Sequence, residues 1–239
     1  TEVHQRIADR AALQSGDVAK LVANTRREIE KVSAEPGWTR HWSNESHIPD
    51  YSRVQERLES LLESGHADEV VALGEEVLQQ GIQQVEMSDD EGETGQEIAG
   101  CMEVVFRALK SSSKTGAERL LWEIDACLRD HYCILDGIHG PLEDPAAFTL
   151  ADWSAVADDL TRRMEAIPVA ADKRDTDGSD RGYRRQAIMR WLLNALKNGG
   201  REREIAAILV REAGITYCYV ELVDHLLADK QKEAASEWA

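Results

Sequence analysis

Apolar residues recur at helical spacing from one end of this chain to the other. Intervals of three and four residues place such side chains on one face of an α-helix. The apolar series run over residues 18–32, 51–61, 70–85, 98–109, 120–135, 153–164, 188–195, 205–209 and 219–226. No segment alternates apolar and polar residues for long enough to predict a strand. The sequence therefore predicts an all-α fold.

Short breaks between these series indicate how the helices are arranged. They fall at Pro36-Gly37, Gly65, Gly199-Gly200 and Gly214. Helices joined by short turns lie antiparallel, and each pair leaves an apolar face that another pair covers. We expect stacked antiparallel helix pairs, an α-solenoid of degenerate tetratricopeptide- or HEAT-like repeats without a strict register. A closed helical bundle is the alternative.

Local composition suggests boundaries within the chain. Residues 169–182 read VAADKRDTDGSDRG, a polar segment that predicts a mobile linker. It separates an N-terminal helical block, residues 1–168, from a C-terminal block of helix pairs, residues 183–239. The chain begins on Thr1 and stops within a helical pattern, so we expect the C-terminal block to be truncated and the chain to be a piece of a longer protein.

Two helix starts and the tryptophans allow more local predictions. Thr94 to Glu97 fits a capping box, and Thr149 with Asp152 fits the start of a later helix. Three tryptophans fall on apolar series and are expected in the core. Trp38 and Trp42 lie in an irregular stretch, residues 36–50, where they could pack that stretch down or form part of a binding surface, and packing is the favoured interpretation.

Charge disfavours several classes of partner. The chain has 28 basic and 45 acidic residues, a net charge of −17. A negative field repels phosphate backbones and anionic membranes, so direct nucleic-acid or membrane binding is disfavoured. No apolar run approaches the roughly 18 residues of a membrane helix. The four cysteines are widely spread, which predicts reduced thiols in a cytoplasmic protein.

Catalytic and metal motifs are missing from the sequence. There is no nucleophile elbow, no Gly-rich phosphate loop and no HExxH. Cys127 and His131 are four residues apart, as on one helix face, and Cys133 follows. Tetrahedral zinc needs four ligands and no second pair exists, so packing is the favoured interpretation. The acidic loop Asp89 to Glu93 lacks the order of a calcium loop. We expect neither an enzyme nor a cofactor.

One basic cluster stands out in the acidic chain. It consists of Arg181, Arg184, Arg185 and Arg190. Three of these arginines, at 181, 184 and 185, are predicted to share a helix face that could contact an anion or an acidic partner. Aspartates at 172, 175, 177 and 180 lie just upstream, and local pairing with them is the favoured alternative.

Running text in the first half of the chain resembles a known family. The segments are PDYSRVQERLESLLESGHADEVVALGEEVL, VEMSDDEGETGQEIAGCMEVVFRAL, ERLLWEIDACLRD and, at the C-terminus, KQKEAASEWA. They resemble the tetratricopeptide-like helical region that follows the finger in bacterial SWIM zinc-finger proteins. The family's finger uses CxC followed by CxH, and this chain has neither. The resemblance therefore implies a region outside the finger, and it carries over no zinc ligand to any residue here.

The sequence favours a scaffold for protein–protein interaction, because amphipathic hairpins without a catalytic site recognise partners by extended shape. The alternative is a nucleic-acid-associated module that uses the patch from Arg181 to Arg190. A helical enzyme whose site the sequence does not reveal is a third hypothesis.

Overall fold

The described part of the chain is mostly helical. The computed structural model describes residues 17–43, 45–169 and 176–239, with residues 176–181 described by their backbone only. Within that part of the chain there are ten α-helices: α1 Val18–Val32, α2 Ser52–Glu63, α3 Ala67–Met87, α4 Glu93–Ser111, α5 Gly116–Arg129, α6 Leu150–Ala166, α7 Thr176–Asn198, α8 Ile205–Thr216, α9 Tyr219–Ala228 and α10 Lys232–Trp238. They pack in adjacent pairs, which confirms the predicted all-α, repeat-like fold. None of the described helices is both long and apolar enough to cross a membrane.

The chain forms two compact units. Unit 1 contains the residues up to Lys114 together with Asp125–Asp144, and unit 2 contains Thr115–Ile124 together with Pro145–Ala239. Helix α5 therefore contributes to both units. This division differs from the predicted blocks, residues 1–168 and 183–239, because α6 packs on α7 and groups with the C-terminal helices. Of the predicted linker 169–182, residues 176–182 lie in α7, and residues 170–175 lie outside the described part of the chain.

Unit 1 is built from two stacked helix pairs. Helices α1 and α4 each pack against both α2 and α3, and α2 and α3 also contact each other. A glycine of α3 lies close against α4: a Cβ on Gly74 would lie 2.4 Å from a methyl of Val105. The side chains at this interface are buried, so overpacking it would strain the core.

A buried polar chain fixes the end of α1 against this core. The Tyr51 hydroxyl donates to Gln84 Oε1 at 2.7 Å, and the Gln84 amide nitrogen donates to the carbonyls of Val32 and Glu35, each at 2.7 Å. Tyr51 and Gln84 are both buried, and burial raises the pKa of the Tyr51 phenol. The Gln84 amide thus satisfies the carbonyl of Val32, the last residue of α1. A buried carbonyl without such a partner would lower the stability of the fold.

A small hairpin that the sequence did not predict occupies residues 38–47. Strands β1 Trp38–Arg40 and β2 Glu45–His47 pair antiparallel. The hairpin is held to unit 1 by backbone bonds of 2.9 Å, from Thr39 N–H to the Asp89 carbonyl and from Asp89 N–H to the Gly37 carbonyl. Trp42 lies fully exposed at its tip, so the expectation that it packs the segment down is wrong.

Unit 2 stacks its helices in sequence order. Helix α6 packs on α7, α7 on α8, α8 on α9 and α9 on α10. The predicted start of α6 is confirmed: the Thr149 hydroxyl accepts from Asp152 N–H, and the Asp152 carboxylate accepts from Thr149 N–H. Trp153 follows directly and is 1% exposed, as predicted for the core. Trp122 and Trp191, also expected in the core, are only half-buried.

Three predicted helix boundaries are wrong. Helix α4 begins at Glu93 after Gly92, whose φ of +98° ends the preceding turn, so Thr94 is not its cap. Helix α5 ends at Arg129 instead of continuing to residue 135, because the Asp130 carboxylate accepts from the backbone N–H groups of residues 132, 134 and 135. Gly214 lies inside α8 and breaks nothing.

Candidate interaction site

The predicted arginine patch is not brought together on one surface. Arg185 is 4% exposed, whereas Arg184 and Arg190 are exposed on α7, and the side chain of Arg181 lies outside the described residues. Successive helical residues are about 100° apart, so Arg184 and Arg185 cannot share the solvent side once Arg185 points into the core. Arg185 therefore differs from the prediction of a partner contact. The contacts predicted for Arg184 and Arg190 stay predictions.

Arg185 instead holds three helices together inside unit 2. Its Nε and Nη2 atoms donate to the two carboxylate oxygens of Glu212, at 2.9 and 2.7 Å, and Glu212 is fully buried. Its Nη1 atom donates to the carbonyls of Met164 and Ile167 at the end of α6, at 2.7 and 2.6 Å. The pair thus joins α6, α7 and α8, and Glu212, rather than the upstream aspartates, is the described partner.

Other arginines of unit 2 meet in an open groove of about 580 Å³. Three elements supply its walls: α6, the short 3-10 helix Glu202–Glu204 and α8. We call this site the arginine groove and define it by its lining residues Asp158, Thr161, Arg162, Arg201, Arg203, Glu204, Ala207, Ile208 and Arg211. Four arginines and two carboxylates therefore line the groove, with Ala207 and Ile208 as its apolar part.

The groove arginines differ in how firmly they are held. Arg201 donates to Asp158 at 2.6 Å and to both oxygens of Glu204, and these hydrogen bonds raise its pKa and lower the pKa of Glu204. Arg211 is half-exposed and lies at longer distances from Glu212, 3.1 Å, and Glu165, 3.4 Å. Arg203 is exposed and makes no hydrogen bond or ion pair with any described residue. Arg203 and Arg211 therefore keep N–H donors that a ligand could use.

Exposed apolar side chains are concentrated beside α8 and α9. Of the eleven large apolar residues that are exposed in the described chain, five lie between residues 210 and 227. We call them the apolar surface: Val210, Tyr217, Tyr219, Val220 and Leu227. The rings of Tyr217 and Tyr219 are 6.4 Å apart, and Tyr219 is 6.2 Å from the ring of Trp238. Three aromatic rings therefore adjoin at this part of the described surface.

The residues considered for a metal do not form one helix face. Cys127 is half-buried within α5, but α5 ends at Arg129, so His131 does not follow it on that helix. Cys133 is exposed in the turn beyond, with φ of +59°, and nearby Asp136 and Asp130 raise the pKa of its thiol. Among the described residues no group of three or more His, Cys, Asp or Glu side chains is arranged to hold a metal ion. The helical spacing that suggested a shared face does not apply here.

Sequence reasoning missed the arginine groove because its members are spread over residues 158–211 and no local motif joins them. The chain matches none of the protein families, curated proteins or solved structures with which it was compared. Its function must therefore be argued from these surfaces.

Proposed function

We propose that this chain is a non-enzymatic helical scaffold that binds another protein through the C-terminal helices of unit 2. The observation that carries the proposal is the apolar surface on α8 and α9. Tyrosine and tryptophan dominate the binding energy of many protein interfaces, and three such rings adjoin here. Stacked helix pairs of the kind seen in unit 2 present extended surfaces of this type.

Two further points support the same class. The resemblance to the helical region of SWIM zinc-finger proteins implies a part that accompanies a separate finger, which agrees with a scaffold in a larger protein. The net charge of −17 disfavours nucleic acid as the direct partner. Arg185 is unavailable to the alternative nucleic-acid patch, because its guanidinium is bound to Glu212.

A charge placed on the apolar surface tests the proposal. Val220→Glu changes a side chain that is 70% exposed on α9, and Val169→Glu makes the same change at a side chain that is 54% exposed after α6. The full chain and both variants are immobilised and exposed to extract of cells that express the protein, and retained proteins are identified by mass spectrometry after a high-salt wash.

We expect a defined protein to be retained by the wild type and by Val169→Glu and lost from Val220→Glu, since a desolvated carboxylate opposes an apolar interface. Retention that is equal for both variants would place the interface elsewhere. No retained protein, or retained nucleic acid alone, would overturn the scaffold proposal.

A further inference from the structure

The charges of the chain are divided unevenly between its two units. Unit 1 has 25 acidic and 11 basic residues in 17–114 and 125–144, whereas unit 2 has 18 acidic and 15 basic residues in 115–124 and 145–239. The negative field of the protein therefore arises mostly from unit 1. Unit 2 is close to neutral. Its groove lining has four arginines and two carboxylates, and Asp159, Glu165 and Glu212 pair with lining arginines from outside the groove.

Two groove arginines have donors to offer an incoming anion. Arg203 has no described partner, and the carboxylate nearest to Arg211, that of Glu212, is already bound by both arms of Arg185. The remaining partner of Arg211 is Glu165, which is itself exposed. Exposed ion pairs of this kind contribute about 0–1 kcal/mol, so a ligand carboxylate can replace Glu165 at little cost.

The spacing of these arginines sets the shape of the ligand. Arg203 lies in the 3-10 helix, and Arg211 lies eight positions later within α8. Ala207 and Ile208 fall between them in sequence and line the same groove. The groove thus combines two arginines that have donors to offer with two apolar side chains.

From this arrangement we infer that the arginine groove binds an acidic segment of the protein partner, with two carboxylates on Arg203 and Arg211 and an apolar side chain over Ala207 and Ile208. This inference rests on the proposed scaffold function and names the chemistry of the partner. Arginine binds carboxylates in a two-pronged geometry, which gives such a segment direction as well as affinity. A polypeptide is favoured over nucleic acid, because a short acidic segment carries fewer charges into the negative field of the chain than a phosphate backbone does.

The test uses the full chain and a defined probe. The probe is a fluorescein-labelled amphipathic peptide with glutamates on one face and leucines on the other, and its binding is measured by fluorescence anisotropy. The same peptide with glutamine in place of glutamate, and a labelled single-stranded oligonucleotide, are measured beside it. The variant Arg203→Gln/Arg211→Gln removes two exposed groove charges. Its matched control, Lys197→Gln/Lys232→Gln, removes two exposed charges from α7 and α10.

We expect the groove variant to bind the glutamate peptide at least about tenfold more weakly than the wild type does. It loses two guanidinium groups, and hydrogen bonds to charged groups are stronger than those between neutral groups. The control variant should bind as the wild type does, and the glutamine peptide should bind no variant well. Circular dichroism spectra of both variants should match the wild type, since all four side chains are exposed and Glu212 keeps both of its hydrogen bonds to Arg185 when Arg211 is replaced.

Three results would overturn the inference: no binding of the glutamate peptide, equal weakening in both variants, or tighter groove-dependent binding of the oligonucleotide. The partner captured in the Val220→Glu experiment separates this failure from failure of the scaffold. If capture depends on Val220 while peptide binding is independent of Arg203 and Arg211, the scaffold stands and the acidic-segment inference falls.

Discussion

Removing Arg185 should destabilise unit 2 more than any exposed arginine could. The substitution Arg185→Met keeps a long side chain but deletes the guanidinium, and it leaves the carboxylate of Glu212 buried. It also removes the two donors that serve the carbonyls of Met164 and Ile167. The effect is therefore local to the junction of α6, α7 and α8.

The magnitude follows from what remains unpaired. Breaking a buried ion pair by removing one partner costs about 3–5 kcal/mol, because a charge is left in a poorly solvating site. Arg211 Nε still donates to Glu212 at 3.1 Å, which offsets part of this loss. We therefore expect the low end of the range, about 3 kcal/mol of unfolding free energy.

The chain forms two compact units, so the assay follows each unit separately. Pulse-labelling hydrogen exchange is followed by mass spectrometry across a urea series, and peptides from α6–α8 report unit 2 while peptides from α3 and α4 serve as an internal control. With a urea dependence of about 1–3 kcal/mol per molar, a loss of about 3 kcal/mol lowers the unit 2 midpoint by roughly 1–3 M.

A second variant makes the reasoning refutable. In Arg185→Met/Glu212→Leu both charges are gone, and the stability should return most of the way towards the wild type, since a packed apolar pair can replace a buried ion pair. A single variant with an unchanged midpoint, or a double variant less stable than the single one, would refute the account of Arg185 as the necessary partner of a buried charge.

Two smaller predictions concern a helix contact and a helix cap. Gly74→Ala places a Cβ 2.4 Å from Val105 and should lower the free energy of unfolding of unit 1 by about 1–3 kcal/mol. Gly95→Ala, whose Cβ would have its nearest neighbour at 4.0 Å, should be neutral or stabilise unit 1 by up to about 1 kcal/mol. Equal urea midpoints for the two variants would contradict the packing argument. Hydrogen bonds from Thr149 hold the pKa of Asp152 below its usual value of 3.8, so this carboxylate stabilises the fold above that pH and loses its contribution as the pH falls through the lowered pKa. Asp152→Ala should therefore cost about 1 kcal/mol at pH 7, and its difference from wild type should shrink in acid; a difference in urea midpoint that is constant with pH would contradict this.

Much of the fold was predictable because apolar periodicity survives in nearly every helix. Helix α3 matches its predicted series, residues 70–85, and the Thr149 cap was found from two residues. The errors arose where side chains bond to the backbone across a turn. Asp130 ends α5 in this way, and an apolar residue such as Leu135 continues the helical pattern without being in the helix.

The candidate site was harder to predict, because pairing in space leaves little trace in the sequence. Arg185 lies four residues before Met189 and seven before Leu192, both buried, so its position on the core face of α7 was a usable signal. Glu212 likewise lies three residues after buried Leu209. Each alone resembles a surface charge in a chain of this composition. Their pairing depends on the crossing of α7 and α8, which periodicity does not specify.

The division of α5 between the two units affects the order in which they can fold during synthesis. The segment that completes unit 1, residues 125–144, is synthesised after the first segment of unit 2, residues 115–124. Unit 1 is therefore complete only when residue 144 has left the ribosomal exit tunnel. By then residues 115–124 have already left it, before the α6 residues with which they form unit 2. Each unit is therefore interrupted in sequence by part of the other, and no single protease cut can release either one intact.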